Sequence, residues 1–598
     1  MNFMDINFLK NISDFFTLQT KDNGSLICPK HKIEHSGKNV YSIIVDTVLF
    51  KILKDEKYFL RAKKRTLRTI KNLIQDPETG SWIFWPGRLD GRNMSNSVID
   101  SGACSDALSF FYLECGNLLS NEEVNKIKDA VFKNCDSYLK DACVKKEVTN
   151  QRLWGGAGLA TAYKIFKKKE WADALMASVE KSLKEVWNDG IVPYHSYHKE
   201  YKIYKGIYDT TPFYHSRHFV FIDYILECLG INAEQHKSLL LKISDVIIGM
   251  YGNNGIKNIN FETKRWYFLS DYEIASNAYD IYALVRSYEL SDNELYLRYA
   301  KESFLQLQKH QLSDGGIVDH FGKIDNFQCR IFWNANCAWL ARLLLQNKDT
   351  IAKWSKDKKC NNEEFLWLYF ECGDFFKFKN KNYTAILRGK KQPQSVMWGP
   401  RVGGGSLLGF YPNSKEENIL VFKEWGSDDP LNFYIRVKNG NKLRLFLREN
   451  RKDLREALYF IFVELKALNL RTVLVRVKDF FVKVYKNYSE IASHFACDVA
   501  TLVDKNKNRI IFDVVPSRRN GEHLDEVSLK RNYFFETDRI KVKEILLSKN
   551  KSIKKIIYNK NELIHNFSVK SDIPHKEIGK KIIFYGNTGQ VEISFDLY

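Results

Sequence analysis

Apolar residues in the first 350 positions of the chain recur mostly at helical spacing. Two clear examples are 276–290 (SNAYDIYALVRSYEL) and 334–345 (NANCAWLARLLL), where apolar side chains stand three and four positions apart. This period lines one face of a helix. The pattern runs from about residue 40 to 347 and predicts a helical first half of the chain.

Glycine-bearing loops that resemble one another lie between these predicted helices. They are 78–86 (ETGSWIFWP), 188–194 (NDGIVPY), 253–259 (NNGIKNI) and 313–320 (SDGGIVDH). Their spacing is roughly 60 residues or twice that, the length of two helices with their turns. We therefore predict a repeat of about six helical hairpins arranged in a ring, with the loops of one end around a central cleft.

The pattern changes after about Asp374 to short alternating runs separated by turn residues. Alternation of this kind predicts antiparallel strands with one face buried. Three hairpins are predicted: 434–447 around Asn439-Gly440, 499–503 with 510–515, and 582–585 with 591–595.

The segment 451–490 interrupts the β pattern by returning to helical spacing, with nine Lys/Arg against five Asp/Glu. A basic amphipathic helix pair can lie on an anionic membrane, and packing against its own β domain is the alternative. The predicted domains are a helical catalytic domain at 1–350, a linker at 351–380, and an antiparallel β domain at 381–598 with this helical insertion.

The overall composition favours an intracellular protein with an anionic partner. The net charge of +20 fits nucleic acid, an acidic membrane surface or an acidic polysaccharide. The opening sequence lacks signal-peptide features, and eleven cysteines without a CxxC pair fit reduced thiols. We expect a cytoplasmic location, with membrane association if 451–490 binds lipid. Cys28, His31 and His35 lack the further ligands of a zinc site, so no metal and no cofactor are expected.

Candidate chemistry concentrates between Asp189 and His218, where six tyrosines and four histidines stand within thirty residues. Tyrosine and histidine transfer protons once their surroundings shift their pKa values. The alternative is an aromatic cluster at the edge of the core. Within the segment, Asp189-Gly190 is followed by His198 and by 204–209 (YKGIYD).

These motifs and the order of the domains resemble polysaccharide lyases with an (α/α) toroid, such as chondroitin AC lyases, hyaluronate lyases and the heparinase II/III group. The resemblance implies an (α/α)6-type helical toroid followed by a C-terminal antiparallel β-sandwich. It assigns the tyrosine role to Tyr208 and the histidine role to His198 or His195. The sequence departs from the family where Asp209 replaces the final glycine of the Y-x-G-x-Y-G element.

β-Elimination at a uronic acid requires removal of the C5 proton, which becomes feasible when the neighbouring carboxylate is neutralised. Asn150, followed by Gln151, is the candidate neutraliser, because the lyases place an asparagine in a comparable location. The alternative is that Thr149 or Asn150 simply caps a helix. Arg217 and His215 are the nearest candidates for lowering the pKa of the catalytic tyrosine. Arg217 is equally suited to binding a substrate carboxylate.

Two further segments, one with Trp82, Trp85 and Arg88 and one with Arg330, Trp333 and Asn334, combine aromatic faces with polar groups suited to sugars. The alternative for these tryptophans is core packing. Including residues near the catalytic segment, the predicted substrate-binding residues are Trp82, Trp85, Arg88, Gln151, Tyr204, Tyr214, His215, Arg330, Trp333, Asn334 and Arg401.

The sequence thus predicts a lyase for an acidic polysaccharide or oligosaccharide, within surface-polysaccharide metabolism. A uronate C5-epimerase would share the proton abstraction. A glycoside hydrolase would need two carboxylates across the cleft, and a non-catalytic protein that binds anionic glycans is a further alternative. Nucleic acid is not expected as a partner, because no nucleic-acid-binding motif accompanies the charge. The candidate carboxylates for a hydrolase are Asp100, Asp106, Asp209, Asp271 and Glu273.

Overall fold

The structure is a computed structural model, and its residues divide into a helical unit and a β unit. The described residues are 6–27, 29, 37–72, 93–192, 214–253, 255, 257–258, 261, 276–317, 330–347, 350–351, 365–389, 403–414, 420, 431–437, 474, 498–517, 523–560 and 564–598.

Helices account for most of the first unit, as predicted. They are α1 (Ile6–Leu18), α2 (Tyr41–Leu53), α3 (Glu56–Asn72), α4 (Asn93–Cys115), α5 (Asn121–Asn134), α6 (Lys140–Lys145), α7 (Thr149–Phe166), α8 (Lys169–Glu185), α9 (His215–Leu229), α10 (Lys237–Met250), α11 (Asn277–Ser291), α12 (Glu294–Lys309), α13 (Arg330–Asn334) and α14 (Cys337–Gln346).

Outer and inner helices alternate along the chain and form a ring of six hairpins. The inner helices are α2, α4, α7, α9, α11 and α14. Each packs against the next, and α14 returns to α2, which closes the ring. In α7 every residue from Thr149 to Ala162 is buried, whereas the outer α8 buries one face. The arrangement is the predicted (α/α)6-type toroid.

Aromatic side chains fill the interior of the ring. Trp154 of α7 packs on Phe221 of α9 with ring centroids 5.1 Å apart, and Phe221 packs on Trp339 of α14 at 5.3 Å. The indole N–H of Trp154 donates a hydrogen bond to the Tyr41 hydroxyl at 2.8 Å. Because these side chains come from four inner helices, their packing holds the ring closed.

A common glycine turn follows several outer helices, which bears out the predicted repeat. In the 188–194 loop, the Trp187 N–H donates to the Ile191 carbonyl at 2.8 Å and the Gly190 N–H donates to the Trp187 carbonyl at 2.9 Å. The same pair of bonds occurs around Gly315 and around Gly24, a copy that the sequence comparison missed. The predicted loop 78–86 lies outside the described residues.

Replacing Gly190 by alanine is expected to destabilise the helical unit. Gly190 has a φ of +90°, and an added Cβ would lie 2.2 Å from the Lys242 carbonyl oxygen of α10. The control is Gly230→Ala, because Gly230 has a φ of +72° but nothing within 4 Å of an added Cβ. Urea unfolding should show Gly190→Ala to be less stable than the control by about 1–3 kcal/mol. Equal stability of the two variants would contradict the predicted clash.

The described residues of the second unit form fourteen strands. They are β1 (Leu366–Phe370), β2 (Phe375–Lys379), β3 (Tyr383–Arg388), β4 (Leu407–Pro412), β5 (Asn432–Val437), β6 (Val499–Asn506), β7 (Arg509–Val515), β8 (Val527–Phe535), β9 (Ile540–Ser548), β10 (Ile553–Asn559), β11 (Ile564–Ser571), β12 (His575–Ile578), β13 (Lys581–Phe584) and β14 (Gly589–Leu597). The three sheets have the orders β1-β2-β3-β4, β12-β13-β10-β5 and β11-β14-β9-β8-β7-β6. All described strand pairs are antiparallel.

One face of the six-stranded sheet packs against the two smaller sheets. Phe535 of β8 stacks on Phe378 of β2 with centroids 4.7 Å apart. A small interior cavity is lined by residues in or next to strands of all three sheets, among them Leu407, Leu431 and Tyr533. The unit is therefore a sandwich, with the six-stranded sheet as one layer and the two smaller sheets as the other.

The β predictions had mixed outcomes. The 499–515 hairpin is confirmed as β6 and β7. The pairing of 582–585 with 591–595 is wrong, because β13 pairs with β10 and β12 whereas β14 pairs with β9 and β11. The predicted linker is also wrong, since β1 and β2 lie inside 351–380. The second strand of the 434–447 hairpin and, apart from Leu474, the segment 451–490 lie outside the described residues.

Candidate active site

Buried polar side chains collect at the amino ends of the inner helices. Because every inner helix follows an antiparallel outer helix, all six inner helices run in the same direction and begin at one end of the ring. Buried polar residues rarely gather without a hydrogen-bonding or functional reason. Those within the first turns include Asn39, Ser42, Asp100, Ser101, Asn150, Gln151, His215, Arg217, His218, Ser276, Asn277, Asp280 and Asn336.

Asn150 and Gln151 occupy the first turn of α7 and are 2% and 9% exposed. The side-chain oxygens Asn150 Oδ1 and Gln151 Oε1 are buried and accept no hydrogen bond from the residues that the structure describes. The alternative that Thr149 or Asn150 caps this helix is wrong, because the N-cap is Val148, without any side-chain cap. A buried amide oxygen without a donor costs about 1–3 kcal/mol, so these groups are suited to receiving a ligand.

Arg217 of α9 joins three inner helices at this end of the ring. Its guanidinium lies over the rings of Trp154 and Tyr279, 5.5 Å and 4.8 Å from their centroids. Its Nη2 donates to Ser276 Oγ at 3.4 Å, and Tyr214 packs on it at 4.8 Å. Trp154 stands four residues after Asn150, on the same face of α7. The guanidinium of Arg217 therefore contacts α7 one turn after Asn150.

Two histidines of α9 have different roles. The carbonyl oxygen of Ile243 accepts from His215 Nε2 at 3.1 Å, which ties α9 to α10. His218 Nδ1 donates to the His215 carbonyl at 3.0 Å, while His218 Nε2 is buried and has no partner within the described part of the chain. Burial, reinforced by His215 and by the guanidinium groups of Arg152 and Arg217, holds the pKa of His218 well below its usual value. His218 is thus neutral, with the lone pair on Nε2.

The predicted sugar-binding residues Arg330 and Asn334 have partners inside the protein. Arg330 makes two hydrogen bonds to the Asp314 carboxylate, and its Nε donates to the Ile317 carbonyl at 3.1 Å. Asn334 binds both backbone groups of Ile317, accepting at 2.6 Å and donating at 3.0 Å. Trp333 is buried. These contacts hold the Gly315 turn, and the substrate-binding role of the three residues stays a prediction.

Several predicted site residues lie outside the described residues, so their predicted roles remain untested. They are Trp82, Trp85, Arg88, His195, His198, Tyr204, Tyr208 and Arg401, together with the candidate carboxylates Asp209, Asp271 and Glu273 and the Cys28, His31 and His35 cluster.

Asp106, a candidate carboxylate for a hydrolase, is bound inside the ring. Its Oδ1 accepts from Arg342 Nη2 at 2.6 Å and from Thr161 Oγ1 at 2.5 Å. The guanidinium of Arg342 in turn lies over the rings of Tyr224 and Trp339. A carboxylate in such a buried ion pair has no free access to a substrate, so these contacts favour a structural role for Asp106.

Searches for other kinds of site gave negative results for the part of the chain that the structure describes. Within the described ranges, no group of histidine, cysteine, aspartate and glutamate side chains could hold a metal ion. Nor does any helix in those ranges have the length and apolar character needed to span a membrane.

No protein-family model and no curated protein matches the chain. Among solved structures, heparinase III is similar, with 10% identity and a TM-score of 0.47, covering 94% of this chain and 76% of that one. A sugar epimerase from a ruminal bacterium shows 14% identity and a TM-score of 0.42, covering 56% of this chain and 98% of that one. A glycosyl hydrolase of family 88 from Bacteroides vulgatus shows 12% identity and a TM-score of 0.42, covering 56% of this chain and 97% of that one. At these values the similarity concerns the fold and leaves the reaction open.

Proposed function

We propose that the protein is a polysaccharide lyase that cleaves a uronate-containing glycan by β-elimination. The observation that carries the proposal is the pair of buried amides, Asn150 and Gln151, whose oxygens accept no hydrogen bond from any described residue. The cationic Arg217 contacts Trp154, one turn after Asn150 on α7. Amide and guanidinium groups suit a sugar carboxylate. The net charge of +20 also favours an anionic substrate.

In the proposed reaction Asn150 holds the substrate carboxylate at the amino end of α7. Either end of its amide reaches the same position by rotation about Cβ–Cγ, so the NH2 group can donate to a carboxylate oxygen. The positive end of the α7 dipole adds to this attraction. Charge moves onto the carboxylate as the C5 proton leaves, and the hydrogen bond strengthens with it.

The proton transfers fall to residues assigned by the family resemblance. Tyr208, or the histidine at 198 or 195, removes the C5 proton. The C4–O bond then breaks, a C4=C5 double bond forms, and the departing O4 takes a proton from the tyrosine. A tyrosine with an ordinary pKa of about 10 needs a nearby cation to act as a base near neutral pH, and Arg217 supplies one at this end of the ring.

A hydrolase has less support from the described residues than a lyase. An inverting or retaining hydrolase needs two accessible carboxyl groups, and Asp106 is bound by Arg342 and Thr161. An epimerase would use the same amide and the same proton abstraction without cleaving the chain, so product analysis distinguishes it.

The function is tested by incubating the purified protein with a panel of uronate polysaccharides. Absorbance of the unsaturated product and reducing ends are followed together, with a neutral glucan as the control polymer. A lyase raises both signals on at least one uronate polymer and neither on the glucan. Reducing ends without absorbance would establish a hydrolase. If no polymer is cleaved and no uronate changes its configuration, an enzyme of this class is refuted.

Replacing Tyr208 by phenylalanine is expected to slow formation of the unsaturated product by at least about 10²-fold, because the hydroxyl that transfers the proton is removed. Thermal unfolding should be unchanged, since only one oxygen is lost. Tyr201→Phe, seven residues earlier in the same segment and without a predicted role, is the control and should retain most of the activity. Full activity of Tyr208→Phe would exclude this tyrosine as the acid or base.

A further inference from the structure

We propose that Glu185, on the outer helix α8, is a positioning residue that holds the first turn of α7 and thereby places Asn150 and Gln151. Its Oε2 accepts from Thr149 Oγ1 at 3.0 Å and from Arg152 Nη2 at 2.6 Å. Thr149 and Arg152 flank the two amides in the sequence, so one carboxylate oxygen fixes both sides of the turn. The catalytic consequence rests on the proposed function, whereas the positioning does not.

Further bonds make Arg152 the centre of this anchor. Its Nη2 also donates to Ser182 Oγ of α8 at 3.0 Å, and its Nη1 donates to the Lys146 carbonyl at 3.0 Å. Lys146 follows the last residue of α6. The turn that carries Asn150 is therefore bound both to the end of α6, which precedes it in sequence, and to α8, which follows it. The side chains that make these bonds are buried.

The position of the Glu185 carboxylate suits an interaction with α7 better than one with its own helix, α8. Glu185 is the last residue of α8, where the helix dipole disfavours a negative charge. The same carboxylate lies at the amino end of α7, where the dipole favours it.

Hydrogen exchange tests the positioning independently of any activity. The amides of Gln151 and Arg152 donate to the Val148 carbonyl at 3.0 and 2.9 Å, and they report directly on the first turn of α7. In Glu185→Ala these amides should exchange roughly tenfold faster or more, because the turn frays without its anchor.

Asp46→Ala is the matched control for that measurement. Asp46 is also a buried carboxylate that receives one hydroxyl, from Ser13, and one guanidinium, from Arg65, but it belongs to α2. It should lower stability while leaving exchange in the α7 turn unchanged. Unchanged exchange there in Glu185→Ala, or an equal rise in both variants, would overturn the inference.

A double-mutant cycle then tests whether Glu185 acts through Asn150. A displacement of about 1 Å at a reacting group can cost roughly 10²-fold in rate, so Glu185→Ala should lower kcat about ten- to a hundredfold. In an Asn150→Ala background the same change should have no further effect. If the kcat losses of the two single variants multiply in the double variant, Glu185 does not act through Asn150 and the inference is overturned. Absence of product from wild-type protein on every polymer would refute the proposed function alone, with hydrogen exchange still deciding the role of Glu185.

Discussion

Replacing Asn150 by alanine is expected to lower the rate of uronate elimination by about 10³-fold without lowering the stability of the protein. These two results together are unusual for a fully buried position, where most substitutions destabilise. They follow because no described residue donates a hydrogen bond to the buried Oδ1 of Asn150.

The stability part of this prediction rests on the cost of the unpartnered amide. Burying an amide oxygen without a donor costs about 1–3 kcal/mol, and alanine removes that cost. Alanine is also a better helix former than asparagine in the first turn of α7. Both gains offset the small cavity that the shorter side chain leaves. The free energy of unfolding should therefore stay equal or rise slightly.

Asn134→Ala provides the matched control on α5. Asn134 is also fully buried and its Oδ1 likewise accepts no hydrogen bond from the described residues, but its Nδ2 donates to the Ser101 carbonyl at 3.1 Å and to Ser105 Oγ at 2.7 Å. Alanine removes both of these hydrogen bonds along with the unpartnered oxygen, so this variant should lose stability and keep its kcat. Urea unfolding and the absorbance assay measure both quantities. A loss of stability in Asn150→Ala, or full activity, would show that Asn150 has a structural role instead.

The helical ring was predictable because its signal is local and repeated. Apolar spacing in stretches such as 276–290 marks inner helices, and the glycine turns mark the end of several outer helices. The Gly24 turn was missed, although its two backbone bonds match those at Gly190 and Gly315. Its sequence, DNGSL, lacks the Gly-Ile-Val run that NDGIV and SDGGIV share.

Strand pairing in the β unit could be predicted only where the partners are neighbours in sequence. The β6–β7 hairpin has a two-residue turn and was predicted correctly. The last two strands are separated by only 585–588, yet they belong to different sheets, because β14 is inserted between β9 and β11. A choice of this kind depends on packing between distant segments, which the local alternation of residues does not encode.

The candidate site was likewise predictable only in part from the sequence. Asn150 and Arg217 were identified from motifs, but the residue that relates them in the fold is Trp154, which stands one turn after Asn150 and whose ring contacts Arg217. Glu185 and His218 were missed. Glu185 looks like an ordinary acidic residue on an amphipathic helix, and only the fold brings it to Thr149 and Arg152. His218 had one local signal, its position three residues after His215 on the same helix.

Replacing Asp498 by asparagine is expected to stabilise the β unit above neutral pH. Asp498 and Glu544 share a single guanidinium, Arg531, and all three side chains are buried. Arg531 Nε lies 2.8 Å from Glu544 Oε1, whereas its Nη2 lies 3.5 Å from Asp498 Oδ2. Arg531 therefore compensates the charge of Asp498 less well than that of Glu544.

Burial raises the pKa of Asp498 to about 7, against the attraction of Arg531 and the hydrogen bond from the Ser517 N–H. In the unfolded chain the carboxyl ionises near pH 4. The folded state therefore binds a proton that the unfolded state has lost between about pH 4 and pH 7, and stability falls as the pH rises through this window. Above pH 7 the loss from this group is complete and amounts to at most about 4 kcal/mol.

Asparagine resembles the protonated acid, so Asp498→Asn should match the wild type near pH 4 and exceed its free energy of unfolding by roughly 2–4 kcal/mol at pH 8. Urea unfolding at pH 4, 6 and 8 measures the difference. Asp513→Asn is the control, because Asp513 is exposed on β7 of the same sheet and should give no pH-dependent difference. A stability difference between Asp498→Asn and the wild type that does not grow with pH would mean that Arg531 keeps Asp498 ionised throughout, as a full ion pair in the core of the sandwich.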